Sequence, residues 1–363
     1  MGERRFIQGN EAIGWGALNA GCDGFFGYPI TPQNETTEWF AREFPKRGRV
    51  FVQSESETGS INMLFGAASA GVRCLTSTSS PGWGLMQEGL SHIAAADLPC
   101  VIAVVQRGGP GAGTTRHAQT DYTSVTKGGG QGGYKNIVLA PASAQETHDI
   151  MQLAFYLADK YRNPVIVLSD GITGQVREPV ELRTFDFGEL PEKDWALRGR
   201  DNQKDKGRRL IHSAPGLITT PFGPDYNDWL AHAQKKYEEM TSSEVRYELL
   251  HGEDARLFVI AYGYPSRSSE EAVNKAREEG LKVGLIRPIT LWPFPDQLIK
   301  EKALQGCNFL VVEDSLGQMV DDVRCAVEGK AGVNLLNILA RHLPHDGGMI
   351  MPGRILEEIR RLL

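Results

Sequence analysis

The sequence predicts an α/β protein: a mostly parallel sheet with helices on both faces, followed by a smaller α/β domain. Two observations predict it. From residue 11 to residue 170, short apolar runs rich in Val, Ile, Leu and Phe alternate with segments of helical length and period. After an aperiodic stretch, the same alternation resumes near Ala255. A chain of 363 residues is also too long for one comfortable core, so two domains are expected, 1–250 and 251–363, with residues 184–250 as a connector.

Taken in order, residues 11–21 (EAIGWGALNAG) read as a helix ending at Gly21, residues 24–30 (GFFGYPI) as a strand, and residues 32–44 as a helix. At this second junction Thr31 is expected to cap the helix and Pro32 to occupy its first turn, where a missing N–H costs nothing. Strand 49–53, helix 56–71, strand 73–79 and helix 85–96 follow, with Pro81-Gly82 read as a turn. Strand 100–107, helix 144–161 and strand 163–170 complete the first domain. Residues 226–240 read as a connecting helix. The second domain offers strands 256–263, 282–289 and 308–314 with helices at 268–280 and 295–304, Ser268 and Glu271 having capping-box spacing.

A net charge of −6 gives no reason to expect a nucleic-acid or membrane-surface partner. No apolar run reaches spanning length and no signal-peptide core is visible, so the cytoplasm is the expected location. The five cysteines are scattered and form no C-x-x-C, and most read as small buried hydrophobes; the histidines show no metal-ligand spacing. The basic loop from Arg198 to Arg209 reads as a solvated or partner-facing surface.

Three predicted strand-to-helix junctions carry groups able to do chemistry. Thr31 offers a hydroxyl. Glu57 follows FVQSES, where Ser54 and Glu57 have the spacing of a capping box, so helix capping is the plainer explanation of this carboxylate. Glu55, two residues earlier, is the competing acid. Arg107 stands before the glycine-rich RGGPGAG, either bridging loop carbonyls or presenting its guanidinium fork to a carboxylate or phosphate. No G-K-[ST] follows those glycines, and no G-x-S-x-G occurs, which excludes Walker-A and hydrolase-elbow chemistry. Parallel strands end on one edge, so these groups are expected to share a site.

Read together, GYPITP, FVQSESE, INMLFGAASAG, SSPGWGLMQEG, QRGGPG, DKYRNPVIVLSD, VRYE and IRPITLWPFP resemble the 2-oxoacid:ferredoxin oxidoreductases. The likeness is strongest to subunits that carry the pyrimidine-binding domain in members acting on 2-oxoisovalerate (3-methyl-2-oxobutanoate). It covers nearly the whole chain in order, residues 184–223 least. The resemblance implies a thiamine diphosphate-binding fold of the pyrimidine type followed by a transketolase C-terminal-like domain. It implies a thiamine diphosphate site shared with a diphosphate-binding subunit, which supplies the G-D-G…N motif and Mg²⁺. This chain has SDGITG at residues 169–174 but no G-D-G. Glu57 aligns with the glutamate that contacts N1′ of the aminopyrimidine, and Pro29, Ile30 and Ser80 fall at cofactor-contacting positions. Thr31 and Arg107 align with substrate-binding residues. Further implied partners are a gamma-type subunit, a ferredoxin-like subunit with [4Fe-4S] clusters, coenzyme A, and ferredoxin as electron acceptor. Trp83 departs from the smaller aliphatic residue of related subunits; if it lined the acyl pocket, pyruvate, 2-oxoglutarate or an aryl 2-oxo acid would compete with a branched-chain substrate. Rival readings are a stand-alone nucleotide-binding enzyme, for which G-x-G-x-x-G is missing, and a non-catalytic scaffold in which Glu57 only caps.

Overall fold

The computed structural model describes residues 3–197, 210–218, 220–341 and 348–363, so the basic loop Arg198–Arg209 lies outside the described residues. The chain opens with β1 (Glu3–Gln8) and α1 (Gly9–Asn19). It continues through β2 (Gly24–Gly27), α2 (Asn34–Glu43), β3 (Val50–Gln53), α3 (Glu57–Ser69), β4 (Cys74–Ser79), α4 (Ser80–Ala95) and β5 (Cys100–Gln106). Next come α5 (Tyr122–Thr126), β6 (Ile137–Leu139), α6 (Ala144–Tyr161), β7 (Pro164–Asp170), α7 (Gly171–Gln175), β8 (Arg177–Leu182) and α8 (Tyr226–Ser243). The second half holds β9 (Tyr247–Leu250), β10 (Leu257–Ile260), α9 (Tyr264–Glu278), β11 (Val283–Pro288), β12 (Thr290–Trp292), α10 (Asp296–Leu304) and β13 (Asn308–Val312). It ends with α11 (Met319–Val327), β14 (Val333–Leu336) and α12 (Pro352–Leu362).

Seven strands in the order β12-β6-β7-β5-β4-β2-β3 form the main sheet, parallel throughout except β12. A second sheet, β14-β13-β10-β11-β9, is parallel except for β9, and β1 pairs with β8 in an antiparallel ribbon. The central strand β5 shows why the main sheet reads as uninterrupted apolar runs. Val101, Ala103 and Val105 enter one buried cluster, with Phe25, Trp39 and Phe40, while Ile102 and Val104 enter another, with Met86 and Leu90. Alternate side chains of a strand face opposite ways, so helices on both faces demand apolar residues at every position. Phe25 and Phe40 stack at a centroid distance of 4.2 Å, tying β2 to α2. Each fully buried aromatic of this kind contributes about 1.5–3 kcal/mol, so truncating Phe25 would loosen the strand that carries the Thr31 loop.

The two halves are laced together. β9 joins the second sheet although it lies within the expected connector, and β12 returns to the edge of the first, pairing with β6. Arg287 places both ends of its fork on Glu146 (2.9 and 2.7 Å) and also meets Glu248 at 2.8 Å. Gln119 exchanges hydrogen bonds with the backbone of Asp314, and its amide donates to Tyr262 O at 3.0 Å. One consequence corrects an expectation. Helix α9 begins four residues before Ser268, because the buried Asp170 accepts the Tyr264 N–H (2.9 Å) and fixes the helix start at Gly263. Glu271 pairs with Lys275 instead of capping. Among the described residues, no helix is long and apolar enough to cross a membrane.

Candidate active site

The parallel strands β2, β3, β4, β5 and β7 end along one edge, with Gly27 opposite Gln53 and Gln106 opposite Asp170. All three sequence-predicted junctions stand on this edge. Thr31 does not cap a helix. Helix α2 starts at Asn34, and the Thr31-Pro32 bond, which is cis, lies outside it. The reason is tertiary. The Pro32 carbonyl is held by the buried Asn10 amide at 2.6 Å and by Gln175 at 2.9 Å, which keeps Pro32 out of the first turn. The fully buried Gln33 braces the loop, its amide donating to Tyr28 O at 3.2 Å and its oxygen accepting from Ser77 at 2.7 Å. The Thr31 hydroxyl accepts only a long bond from Asn34, 3.3 Å. Beside it, Pro29 is exposed and Ile30 half-buried.

Glu57 is the first residue of α3, and the helix is capped not by Ser54 but by Ser56, whose hydroxyl accepts from Gly59 N at 3.3 Å. Ser54 turns away to bond the carbonyls of Gly27 (3.3 Å) and Ser56 (2.8 Å), stitching the loops after β2 and β3 together. The expected Ser54–Glu57 capping box therefore does not form. Glu57 is 5% exposed, and among the described residues nothing donates a hydrogen bond to its carboxylate. A mostly buried carboxylate with no donor among the described residues has hydrogen-bonding capacity to spare. Its wall is Gly82, where an added methyl would lie 2.4 Å from Glu57 Oε1 and 2.2 Å from Thr78 Oγ1. Glu55, by contrast, is exposed and lies over Gly59.

Gly82 and Ser80 share the first turn of α4, which begins earlier than the sequence suggested and absorbs Ser80-Pro81-Gly82. Pro81 fits that turn because its missing N–H has no helical partner there. Through this turn Glu57 is linked to Arg107. The Arg107 backbone N–H donates to Ser80 Oγ at 2.9 Å, and the Ser80 hydroxyl makes a very short bond to Asp121 Oδ2. The half-buried guanidinium donates from Nη1 to the Thr31 carbonyl (2.9 Å) and from Nη2 to the Ala112 carbonyl (2.7 Å), while Nε is buried without a partner. Arg107 thus bridges loop carbonyls and also touches the Thr31 loop. Burial pushes the Asp121 carboxyl up to about 6, opposed by its bond from Ser80 and by the Arg107 charge.

Other sequence features settle into structural roles. Trp83 is 1% exposed and donates its indole N–H to Ser124 at 3.1 Å, so it fills the core of α4 and does not wall an open acyl pocket. Asp170 of SDGITG accepts from Thr173 N (2.8 Å) and Tyr264 N (2.9 Å), joining the domains. The RGGPGAG loop is tied to the segment that follows it, Gly108 N bonding Arg116 O, Gly109 N bonding Thr120 Oγ1 at 3.3 Å and Thr114 N bonding Gly108 O. Gly113, at φ 61°, is needed there because a methyl would fall 1.8 Å from Gly108 O. Cys22, Cys74, Cys100 and Cys307 are buried as expected, and Cys325 is exposed. Asp121, Gly82, Asn10 and Gln175 were not legible as site residues. Each acts through a contact across the fold, and only the position of Asp121 just beyond the glycine loop offered any signal.

A mostly buried carboxylate and an arginine thus stand together on the ligand edge of a parallel sheet, where α/β enzymes bind their ligands. Comparison with known proteins makes the class specific. Residues 15–249 match the family described as pyruvate flavodoxin/ferredoxin oxidoreductase, thiamine diphosphate-binding, and residues 255–355 match pyruvate:ferredoxin oxidoreductase core domain II. The chain belongs to the 2-oxoacid:ferredoxin oxidoreductases, as its motifs indicated. It is 45% identical to the ketoisovalerate oxidoreductase subunit VorB of Methanothermobacter marburgensis, over 99% of this chain and 97% of that one. It is 37% identical to the 2-oxoglutarate synthase subunit KorA of Methanothermobacter thermautotrophicus, over the full length of both. Its fold superimposes on a 2-oxoglutarate:ferredoxin oxidoreductase from Magnetococcus marinus solved with 2-oxoglutarate, coenzyme A and succinyl-CoA, at TM-score 0.83 and 26% identity. That match covers 99% of this chain and 65% of the other. A split-gene transketolase, at TM-score 0.57 and 15% identity over 97% and 95%, shares the fold alone.

Proposed function

We propose that this chain is the pyrimidine-side subunit of an enzyme that converts a branched-chain 2-oxo acid and coenzyme A to acyl-CoA and CO₂, passing two electrons to ferredoxin. The observation that carries the proposal is Glu57: a mostly buried carboxylate with no donor among the described residues, at a helix start on the ligand edge of the sheet. A carboxylate so placed fits N1′ of the thiamine aminopyrimidine, and Gly82 keeps the space beside it clear. Bound thiamine diphosphate supplies the electron sink through which a 2-oxo acid loses CO₂.

The chain's own residues then divide the remaining work. Glu57 holds the hydrogen bond at N1′ and fixes the protonation of the pyrimidine. Arg107 turns its fork from the Ala112 carbonyl to the substrate carboxylate, while its bond to the Thr31 carbonyl keeps it in register. The Thr31 hydroxyl, weakly engaged at 3.3 Å, is the second hydrogen-bonding group for the substrate. Pro29 and Ile30 border the cofactor on the same loop. A diphosphate-binding subunit with Mg²⁺, a gamma-type subunit and a [4Fe-4S] ferredoxin-like subunit complete a cytoplasmic assembly.

The branched-chain assignment rests on the higher identity to the ketoisovalerate subunit, 45% against 37% for the 2-oxoglutarate one. It is tested by assaying the assembled enzyme with a panel of 2-oxo acids, following coenzyme A-dependent ferredoxin reduction. 3-Methyl-2-oxobutanoate is expected to give the highest kcat/KM. Preference for 2-oxoglutarate, pyruvate or an aryl acid would overturn the substrate class while leaving the reaction class intact.

A further inference from the structure

We propose that Asp121 is a positioning residue for Arg107, acting through the hydroxyl of Ser80, and that its ionised form sets affinity for the substrate carboxylate. The inference rests on Arg107 being the residue that meets that carboxylate. It also gives Ser80 a different task from contacting the cofactor.

The geometry is that of a three-part relay. Ser80 has a single hydroxyl proton, and the ionised Asp121 carboxylate, which can only accept, claims it in preference to the neutral Arg107 carbonyl. The hydroxyl oxygen is thereby turned to accept the Arg107 backbone N–H at 2.9 Å. With its proton on Asp121, the hydroxyl keeps its lone pairs for the Arg107 N–H, and the charge of the carboxylate strengthens it as an acceptor. Thr120 completes the clamp, donating to Arg107 O at 2.9 Å, and the Gln106 side chain pins Asp121 by accepting its N–H at 3.2 Å. Asp121 is 8% exposed, so its charge is only weakly screened by solvent.

If Asp121 gains a proton, it becomes a donor to Ser80. The Ser80 proton then turns to the Arg107 carbonyl, 3.1 Å away, and the oxygen, now accepting from Asp121 as well, holds the Arg107 N–H more weakly. The groups facing Asp121 are few. Ser80 approaches from α4, Arg107 from the end of β5, and Tyr262 from the second domain; Arg107 is the nearby cation named among the influences on its carboxyl. With the carboxyl titrating near 6, the ionised relay is present above that pH and lost below it. The guanidinium loses its countercharge in the same step.

The test uses the assembled enzyme carrying Asp121→Asn, Ser80→Ala or Arg107→Lys, assayed between pH 5 and 8. For the unmodified enzyme, kcat/KM for the 2-oxo acid should fall as pH drops through about 6. Asp121→Asn cannot titrate. It should abolish that acid limb and raise the KM for the 2-oxo acid roughly 5- to 10-fold, with kcat and the KM for coenzyme A close to normal. Ser80→Ala breaks the relay at its centre and should likewise raise the KM for the 2-oxo acid, so it decides the positioning role should Asp121→Asn fail to assemble. An unchanged KM and acid limb in these variants, while Arg107→Lys raises KM, would overturn the role of Asp121 and leave that of Arg107 standing. If Arg107→Lys also left KM unchanged, the reading of the clamp itself would fall, and the relay with it.

Discussion

Glu57→Gln is expected to cut turnover of the assembled enzyme by about 10²–10⁴-fold, the usual worth of a positioned acid–base group. The substitution keeps the shape of a side chain that is 5% exposed and has no donor among the described residues, so the melting temperature should scarcely move. Glu55→Gln should leave turnover near normal, because Glu55 is exposed and lies over Gly59 instead of facing Gly82. Gly82→Ala provides a graded version of the same experiment. It retains the carboxylate but forces a methyl to within 2.4 Å of Glu57 Oε1, so something must shift. Overpacking of this kind costs about 1–3 kcal/mol of stability, and here it should also lower turnover by displacing the carboxylate. A Glu55 variant more damaged than the Glu57 variant, in steady-state assays, would mean that the wrong acid had been assigned.

Arg107→Lys should raise the KM for every 2-oxo acid by roughly 10- to 100-fold, since it keeps the charge but loses a fork worth about 1.5–3 kcal/mol. Lysine cannot hold the Thr31 carbonyl and a substrate oxygen in one plane, as Nη1 and Nη2 are placed to do. Thr31 separates binding from folding. Because it caps no helix, Thr31→Val should raise KM while changing stability by less than about 0.5 kcal/mol. Thr31→Ser should behave like the parent enzyme. A Thr31→Val variant that melts earlier but has unchanged kinetics would leave the loop with a structural role only.

How far the sequence could be read depended on whether a feature was local. The central strands β4, β5 and β7 and the long helix α6 were legible because both faces of the sheet are buried and the pattern is strong. Arg107 and Glu57 were legible as groups at strand ends. Three capping assignments, at Thr31, Ser54 and Ser268, were made from spacing alone, and the fold displaced all three. Asn10 and Gln175 hold Pro32 from other elements, Ser54 is drawn to Gly27, and Asp170 starts α9 from across the domain joint. Spacing records which caps are affordable, and tertiary contacts decide which are used. The short strands β1, β8, β9, β12 and β14 escaped because edge strands of three to six residues bury too little for a period to show, and the buried, doubly paired β6 because three residues are too few. Trp83 misled for the converse reason. A large ring after a strand end suggests a pocket wall, yet its indole N–H finds Ser124 and the ring becomes core.

The claim most open to direct measurement is that this chain contributes the carboxylate half of a shared thiamine diphosphate site. Calorimetric titration of thiamine diphosphate and Mg²⁺ into the purified chain, and separately into the assembled enzyme, measures it. The assembled enzyme should bind tightly and the chain alone should show no tight binding, since its SDGITG segment uses Asp170 to bond Thr173 and Tyr264. Tight, saturable binding of the cofactor by this chain alone would contradict the division of the site between two subunits.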